Sequence, residues 1–154
     1  FASSMAEKLR KQRSVAVEMV VFAYTNRFKD SAPQTYSNGL VYFTTPTSDQ
    51  RKIVADAVRI TQRIFKSGYG YKKAGVIATK IIDEKDVMHT LFEDTEAIER
   101  EHKITSALDS INATFGKGTI KLAVQGSGKI KTASDNQSPH YTTKWSDIPK
   151  VSVK

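Results

Sequence analysis

The sequence predicts an α+β fold, because segments with the two-residue period of strands alternate with segments that have the helical period. Strand-like segments rich in β-branched residues lie at 14–24, 40–45 and 71–82. Helix-like segments, with apolar residues three or four positions apart, lie at 2–12 and from Thr47 onward. The order over residues 2–82 is therefore α-β-β-α-β.

The first predicted helix covers residues 2–12. Its apolar positions, at helical spacing, are Ala2, Met5, Ala6 and Leu9. Glu7 and Lys11 add an ion pair four residues apart, which stabilises a helix. From residue 14 to residue 24 apolar side chains fill both alternating sets, which indicates a strand.

A loop is expected over residues 25–38, where Pro33 and the pair Asn38-Gly39 give the strongest turn signals. The second strand follows at 40–45. Thr47 and Gln50 have the spacing of a capping box, which predicts the start of the second helix. Its apolar stripe is Ile53, Ala57, Ile60 and Ile64, and Gly68 fits the position just after its end.

The third strand, 71–82, completes an order that is one strand short of a βαββαβ, ferredoxin-like unit. We expect a ferredoxin-like sheet with both helices on one face. The absent first strand would precede Phe1, so the sequence is interpreted as a fragment cut inside a larger protein. In that case the sheet would have a gap where the absent strand belongs. A strand predicted at 119–124, a neighbouring chain or nothing would fill it, and the sequence does not choose among these.

The chain after residue 82 is predicted to form two further regions. Residues 83–94 are acidic and read as a linker, and residues 95–154 as a small α/β domain of unknown function. Within the latter we predict a helix at 95–115 and a strand at 119–124. Residues 125–140 are polar and expected to be flexible, whereas Trp145, the only tryptophan, is expected to be packed.

The formal net charge of +8 is unevenly distributed. It is +9 over residues 1–80, −6 over residues 81–101 and +5 over residues 102–154. A basic excess favours a polyanionic partner.

Several classes of function are excluded or disfavoured. The absence of cysteine excludes disulfides, thiolate metal sites and cysteine nucleophiles, and the three histidines are too far apart to indicate a metal cluster. The segment Gly126-Ser127-Gly128-Lys129 is not a phosphate loop, because Ile130 stands where a magnesium-binding Ser or Thr is required. We expect no catalytic residues, no metal site, no membrane partner and a cytoplasmic location.

Basic residues at the ends of the predicted elements are the candidate DNA-binding positions. Lys and Arg contact phosphates without reading sequence; the alternative reading is a solvated charged rim. The candidates are Arg10, Lys11, Arg13, Arg27, Lys29, Lys72 and Lys73. An RNA-recognition motif is disfavoured, because the nearest match, Lys73–Ala78, contains no aromatic residue.

The acidic segment also contains an apolar pair, Leu91-Phe92, preceded by Met88. Exposed apolar side chains are unfavourable unless something covers them. The pair would either fold back on its own domain or dock as a peptide in a partner's pocket.

Five stretches occur in the order found in one family of polymerases. They are Ala6–Arg10, Thr45–Asp49, Gly68–Val76, Leu91–Asp94 and Ser138–Trp145. The most specific are Tyr-x-Lys-Ala-Gly-Val and Ser-Pro-x-Tyr-Thr-Thr. The chain thus resembles, over essentially its whole length, the C-terminal part of the UmuC family, the catalytic subunits of the bacterial Y-family translesion enzyme called DNA polymerase V.

This resemblance implies that residues 1–82 are part of a little-finger domain, whose sheet lies in the DNA major groove and grips primer-template DNA. The palm carboxylates and their Mg²⁺ would lie upstream, so the fragment itself would need no cofactor and would not polymerise. The family's role is error-prone synthesis in the SOS response of DNA repair.

The resemblance also implies protein partners. Leu91-Phe92 falls at the family's sliding-clamp motif, broadly Gln-Leu-x-Leu-Phe, but Met88 and His89 stand at its first two positions. Contacts with UmuD′ and RecA would involve the C-terminal region. Two alternatives stay open: a clamp-binding or other protein-interaction module, and a stand-alone ferredoxin-like RNA-binding or regulatory domain.

Overall fold

A computed structural model describes residues 1–29, 31–88, 95–126, 138–149 and 151. The helices and strands in chain order are α1 (Ala2–Lys11), β1 (Ser14–Thr25), β2 (Tyr36–Thr47), α2 (Gln50–Ile64), β3 (Tyr71–Asp83) and α3 (Thr95–Phe115). Short 3₁₀ turns cover Glu84–Asp86, Ala123–Gln125 and Trp145–Asp147. The predicted α+β fold and the order α-β-β-α-β are confirmed.

The three strands form one antiparallel sheet in the order β2-β1-β3. β1 is central: Val21 pairs with Gly39 on one side and with Val76 on the other. The expected gap is therefore wrong. In a ferredoxin-like sheet the absent strand would separate two of the others, but here every neighbouring pair is hydrogen-bonded directly.

Helices α1 and α2 lie on one face of this sheet and bury the core, as predicted. Their apolar stripes meet the sheet at Met19 and Val41, and the largest fully buried side chains are Met19 and Ile53. Burial of a side chain of this size contributes about 1.5–3 kcal/mol. This packing fixes which face of the sheet stays open.

Strand β2 begins at Tyr36, four residues before its predicted start, and includes Asn38 and Gly39. The turn predicted there is wrong. A Cβ on Gly39 would lie 2.6 Å from Cγ2 of Ile60, so the glycine serves the close approach of α2 to the sheet.

Helix α2 starts with a different cap from the predicted capping box. The Asp49 carboxylate accepts a hydrogen bond of 2.7 Å from the Arg51 N–H, which makes Asp49 the N-cap. The Thr47 hydroxyl accepts instead from the Asp49 N–H. The helix ends at Ile64 with Phe65 extended, and Gly68, at φ +86°, lies in the following turn rather than next to the helix.

Helix α3 has its predicted bounds and packs against the first helices through ion pairs. The Arg10 guanidinium binds Asp109 through two nitrogens, and Lys52 Nζ lies 2.8 Å from Glu101. The strand predicted at 119–124 is wrong. The backbone N–H and C=O of Ile120 are both bonded to the Asn112 side chain, so they are not available to a sheet ladder.

The chain divides into two compact units, Phe1–Leu122 and Ala123–Lys154. Helix α3 therefore belongs to the same unit as the sheet, while the three-domain division proposed from the sequence stays a prediction. In the second unit Trp145 is 90% exposed, so the expectation that it is packed is wrong. Within the described ranges, no helix has the length and apolar character required to cross a membrane.

Candidate nucleic-acid interface

The face of the sheet opposite α1 and α2 carries large side chains that remain in contact with solvent. Strict alternation along β2 buries Val41 against the helices and leaves Tyr42 69% exposed on the other face. Ile77 of β3 is 50% exposed on the same face as Tyr42. A half-apolar sheet face of this kind is typical of an interaction surface.

An aromatic row crosses one end of this open face. The rings of Phe22 and Tyr24 are stacked with centroids 6.0 Å apart, and Tyr24 stacks on Tyr36 of the neighbouring strand at 6.2 Å. Phe22 lies over Gly75, where a Cβ would come within 2.5 Å of its ring. The glycine thus lets the ring lie flat across β3.

Two basic residues flank the aromatic row. Arg27 places its guanidinium carbon 6.0 Å from the centroid of the Tyr24 ring, within cation–π range. Lys73 pairs with Tyr24 across the β1–β3 ladder, so its side chain lies on the same face. Both are exposed. The fold therefore brings two basic residues beside one ring, although they are 46 positions apart in sequence.

Two other candidate residues lie near this end without joining the row. Lys29 is exposed in the β1–β2 connection, which is fixed by a hydrogen bond from the Gln34 amide to the Lys29 carbonyl. Lys72 precedes Lys73 on β3 and points to the opposite face by strand alternation. It is exposed at the strand's beginning.

The remaining three candidates lie at the other end of β1, about 35 Å away for a strand of this length. Arg10 is bound to Asp109 and to the Ser48 carbonyl, and its side chain is 14% exposed. Arg13 is exposed, at φ 53°. The structure thus divides the seven predicted residues between two ends of the sheet.

Lys11 is exposed but paired: its ammonium lies 2.8 Å from the Glu7 carboxylate. This hydrogen bond raises the pKa of Lys11 and lowers the pKa of Glu7. Both charges are therefore retained at neutral pH.

Met88, the first candidate clamp-binding residue, is 87% exposed. Leu91 and Phe92 lie outside the described residues.

The aromatic row is the feature that sequence reasoning missed. Its signal was available in Phe22 and Tyr24, two positions apart on a strand and so on one face. Tyr36 was assigned to a loop because Asn38-Gly39 was interpreted as a turn. That error concealed the first half of β2.

A cavity of about 580 Å³ lies where α3 meets the end of the sheet. Its lining includes Arg10, Pro46, Lys52 and Ile98. The two basic groups are already paired with Asp109 and Glu101 of the same lining, so they are not free to hold an anionic ligand.

Two families match the chain. The impB/mucB/samB family C-terminal domain matches residues 1–91, and a domain of unknown function, DUF4113, matches residues 102–151.

Similar proteins match most of the length of the chain. The chain is 33% identical over 152 residues to Protein UmuC of Salmonella typhimurium, covering 98% of this chain and 36% of that protein. It is 34% identical to Protein SamB of the same species, over 99% of this chain and 36% of SamB. DNA polymerase IV of Desulfatibacillum aliphaticivorans is 30% identical over 79 residues, 51% of this chain and 20% of that protein. The chain spans about a third of the length of its UmuC-like relatives.

Proposed function

The chain belongs to the impB/mucB/samB family, and from that membership we propose that it is the DNA-binding C-terminal region of an error-prone translesion DNA polymerase. Its role would be to grip primer-template DNA during SOS-type DNA repair. The family match covers the whole of the sheet and both helices that support it. One similar protein is itself named a DNA polymerase.

The observation that carries the proposal is the Tyr24 ring on the open sheet face, with the Arg27 guanidinium over it and Lys73 as its partner on β3. Two cations on one edge of a flat surface can contact phosphates. The exposed Tyr36 ring and the half-buried Tyr24 ring beside it would contact sugars and base edges. The grip would hold DNA without reading its sequence.

The polymerase chemistry would belong to the rest of the parent protein. We propose that the Mg²⁺ ions and the palm carboxylates that hold them lie in the part of the parent outside this chain. The fragment would then supply affinity and position, and would not transfer nucleotides.

Fluorescence anisotropy with a labelled primer-template duplex tests the grip. The full chain should bind, and its affinity should fall as salt rises, because bound lysines and arginines release counterions. Arg27→Ala and Lys73→Ala should each weaken binding and reduce the slope of log K against log salt by about 1. Lys103→Ala, on the exposed side of α3, is the matched control and should bind DNA as tightly as the unsubstituted chain.

Absence of duplex binding by the unsubstituted chain at low salt would overturn the proposal. Binding that all three variants retain unchanged would place the DNA contact away from the aromatic row. The comparison of variants requires that each keeps the circular dichroism spectrum of the unsubstituted chain.

A sliding-clamp contact is a second proposed function, supported by the exposure of Met88, three residues before the apolar pair Leu91-Phe92. A peptide that presents Met88, Leu91 and Phe92 would dock in an apolar pocket. In a pull-down, immobilised clamp should retain the unsubstituted chain and should not retain the double variant Leu91→Ala plus Phe92→Ala. Equal retention of both would remove this segment as the contact.

UmuD′ and RecA are proposed as further partners of the C-terminal region, residues 95–154, on the strength of the family resemblance. The alternative of a stand-alone RNA-binding domain required a fourth strand within residues 1–82. The described part of the chain contains three strands, so that condition is not met.

A further inference from the structure

The connection between β1 and β2 presents a phenylalanine to solvent. Phe28 is 95% exposed, and among the large apolar side chains of the described residues none is more exposed. An apolar side chain in this position is unfavourable unless a ligand covers it. The ring is therefore available for a contact that the fold itself does not make.

Hydrogen bonds hold the backbone of this turn in place. The Asn26 side chain accepts from the Phe28 N–H at 3.2 Å, and the Asn26 carbonyl accepts from the Lys29 N–H at 3.1 Å. The Gln34 amide donates to the Lys29 carbonyl at 2.9 Å, and its oxygen accepts from the hydroxyl of the buried Thr25 at 2.6 Å. The turn is thereby tied to the end of β1, which lowers the entropy lost when a ligand is held.

The charge around Phe28 favours an anionic ligand. Pairing of Thr25 with Tyr71 brings the β1–β2 connection and the α2–β3 connection to the same end of the sheet. Residues 26–35 and 65–73, which form these connections and the start of β3, contain five Lys or Arg and one acidic residue, a net charge of +4. All five cations are exposed, and no described carboxylate forms an ion pair with any of them. They are Arg27, Lys29, Lys66, Lys72 and Lys73.

We propose that Phe28 stacks on an unpaired base of the template strand, with Arg27 and Lys29 on the phosphates at either side. The inference rests on the duplex grip proposed above and adds to it the single-stranded part of the primer-template. Arg27 connects the two contacts, because its guanidinium carbon lies 6.0 Å from the centroid of the Tyr24 ring on the open sheet face. Rings beside basic side chains are the combination that holds unpaired nucleotides.

The energetics of stacking favour an unpaired base over a paired one. Stacking of one base on an aromatic side chain contributes about 5- to 150-fold in affinity. Insertion of a ring between paired bases has an unstacking cost of comparable size, which would cancel that gain. A base that is already single-stranded avoids most of this cost.

An apolar pocket on a protein partner is the competing occupant. A pocket that enclosed Phe28 would also remove Arg27 and Lys29 from water, because they are its direct neighbours in the chain. Burial of a charged group is costly unless it is paired. A DNA strand supplies that pairing through its phosphates, so the flanking charges favour the nucleic acid.

Fluorescence anisotropy of three labelled DNA duplexes tests the proposal. One duplex is blunt, one carries a single-stranded template extension of thymidines, and one carries an abasic extension of the same length. The full chain should bind the thymidine extension about 5- to 150-fold more tightly than the abasic one, because the two have the same phosphates and differ only in bases that can stack. Phe28→Ala should lose this difference and keep its binding to blunt duplex. Phe115→Ala, which replaces another exposed phenylalanine at the end of α3, is the matched control and should keep the difference.

The outcomes separate this inference from the duplex grip. If blunt duplex is bound and the two extensions are bound equally, the inference is overturned and the duplex grip stands. Absence of binding to all three duplexes would overturn both. A difference between the extensions that Phe28→Ala retains would place the stacked base on another side chain. If the extensions do not differ and immobilised UmuD′ retains the unsubstituted chain but not Phe28→Ala, the ring belongs to a protein contact instead.

Discussion

The Arg10 guanidinium of α1 holds the Asp109 carboxylate of α3 through two hydrogen bonds, of 2.6 Å from Nε and 2.7 Å from Nη2. The two residues are 99 positions apart, and a third nitrogen of Arg10 donates to the Ser48 carbonyl at 2.8 Å. Asp109→Asn should therefore lower the free energy of unfolding by about 1.5–3 kcal/mol, because a largely buried guanidinium loses its charged partner. Urea denaturation followed by circular dichroism measures this.

Glu99→Gln is the matched control for that experiment. Glu99 lies on the same helix and faces Lys103 at 3.9 Å, with both side chains largely exposed. Its removal should change stability by less than about 0.5 kcal/mol. If both substitutions lower the free energy of unfolding equally, the Arg10–Asp109 ion pair does not stabilise the packing of α3.

Gly39 and Ile60 make a second testable contact, between β2 and α2. Gly39→Ala should destabilise the protein by about 1–3 kcal/mol, since the new methyl group would lie 2.6 Å from Cγ2 of Ile60 and force α2 away from the sheet. Gly70→Ala is the control, because nothing lies within 4 Å of its Cβ position. Thermal unfolding should show a lowered Tm for the first variant alone.

Gly39 also shows where prediction from sequence succeeded and where it could not. The strands and helices were predictable from periodicity, which reflects local burial. The reason for Gly39, however, lies in a helix 21 residues later. Asn-Gly read locally is a turn signal, and only the packing of α2 reveals that the glycine is needed inside a strand.

The candidate site divides in the same way. Composition and spacing identified Arg27 and Lys73 as basic positions, but not that they flank one ring. That juxtaposition depends on the β1–β3 register, which no local pattern specifies. Arg10 was equally basic in the sequence, yet its partner Asp109 could not be inferred, because the contact depends on how α3 packs.

A third prediction separates Arg10 from the residues proposed to bind DNA. Arg10→Ala should lower stability and leave the salt slope of primer-template binding unchanged, because its guanidinium is occupied within the protein. Lys73→Ala should leave stability unchanged and reduce the salt slope of binding. The comparison uses the anisotropy of labelled primer-template DNA, measured at a temperature well below the Tm of each variant. A reduced slope for Arg10→Ala would restore Arg10 to the DNA contact.

The last prediction concerns Asp147, whose pKa is lowered by the Lys144 ammonium and then by the His140 N–H. A carboxyl group with a folded-state pKa below its unfolded value stabilises the fold above about pH 3.9. That contribution disappears as the pH falls through the lowered pKa. The turn that carries Trp145 should therefore loosen only in strong acid, and the anisotropy of the tryptophan emission should fall there.

Asp147→Asn should show the low anisotropy already at neutral pH, with far-ultraviolet circular dichroism confirming that the sheet unit is still folded. An acid transition of equal size in both proteins would show that Asp147 does not hold the turn.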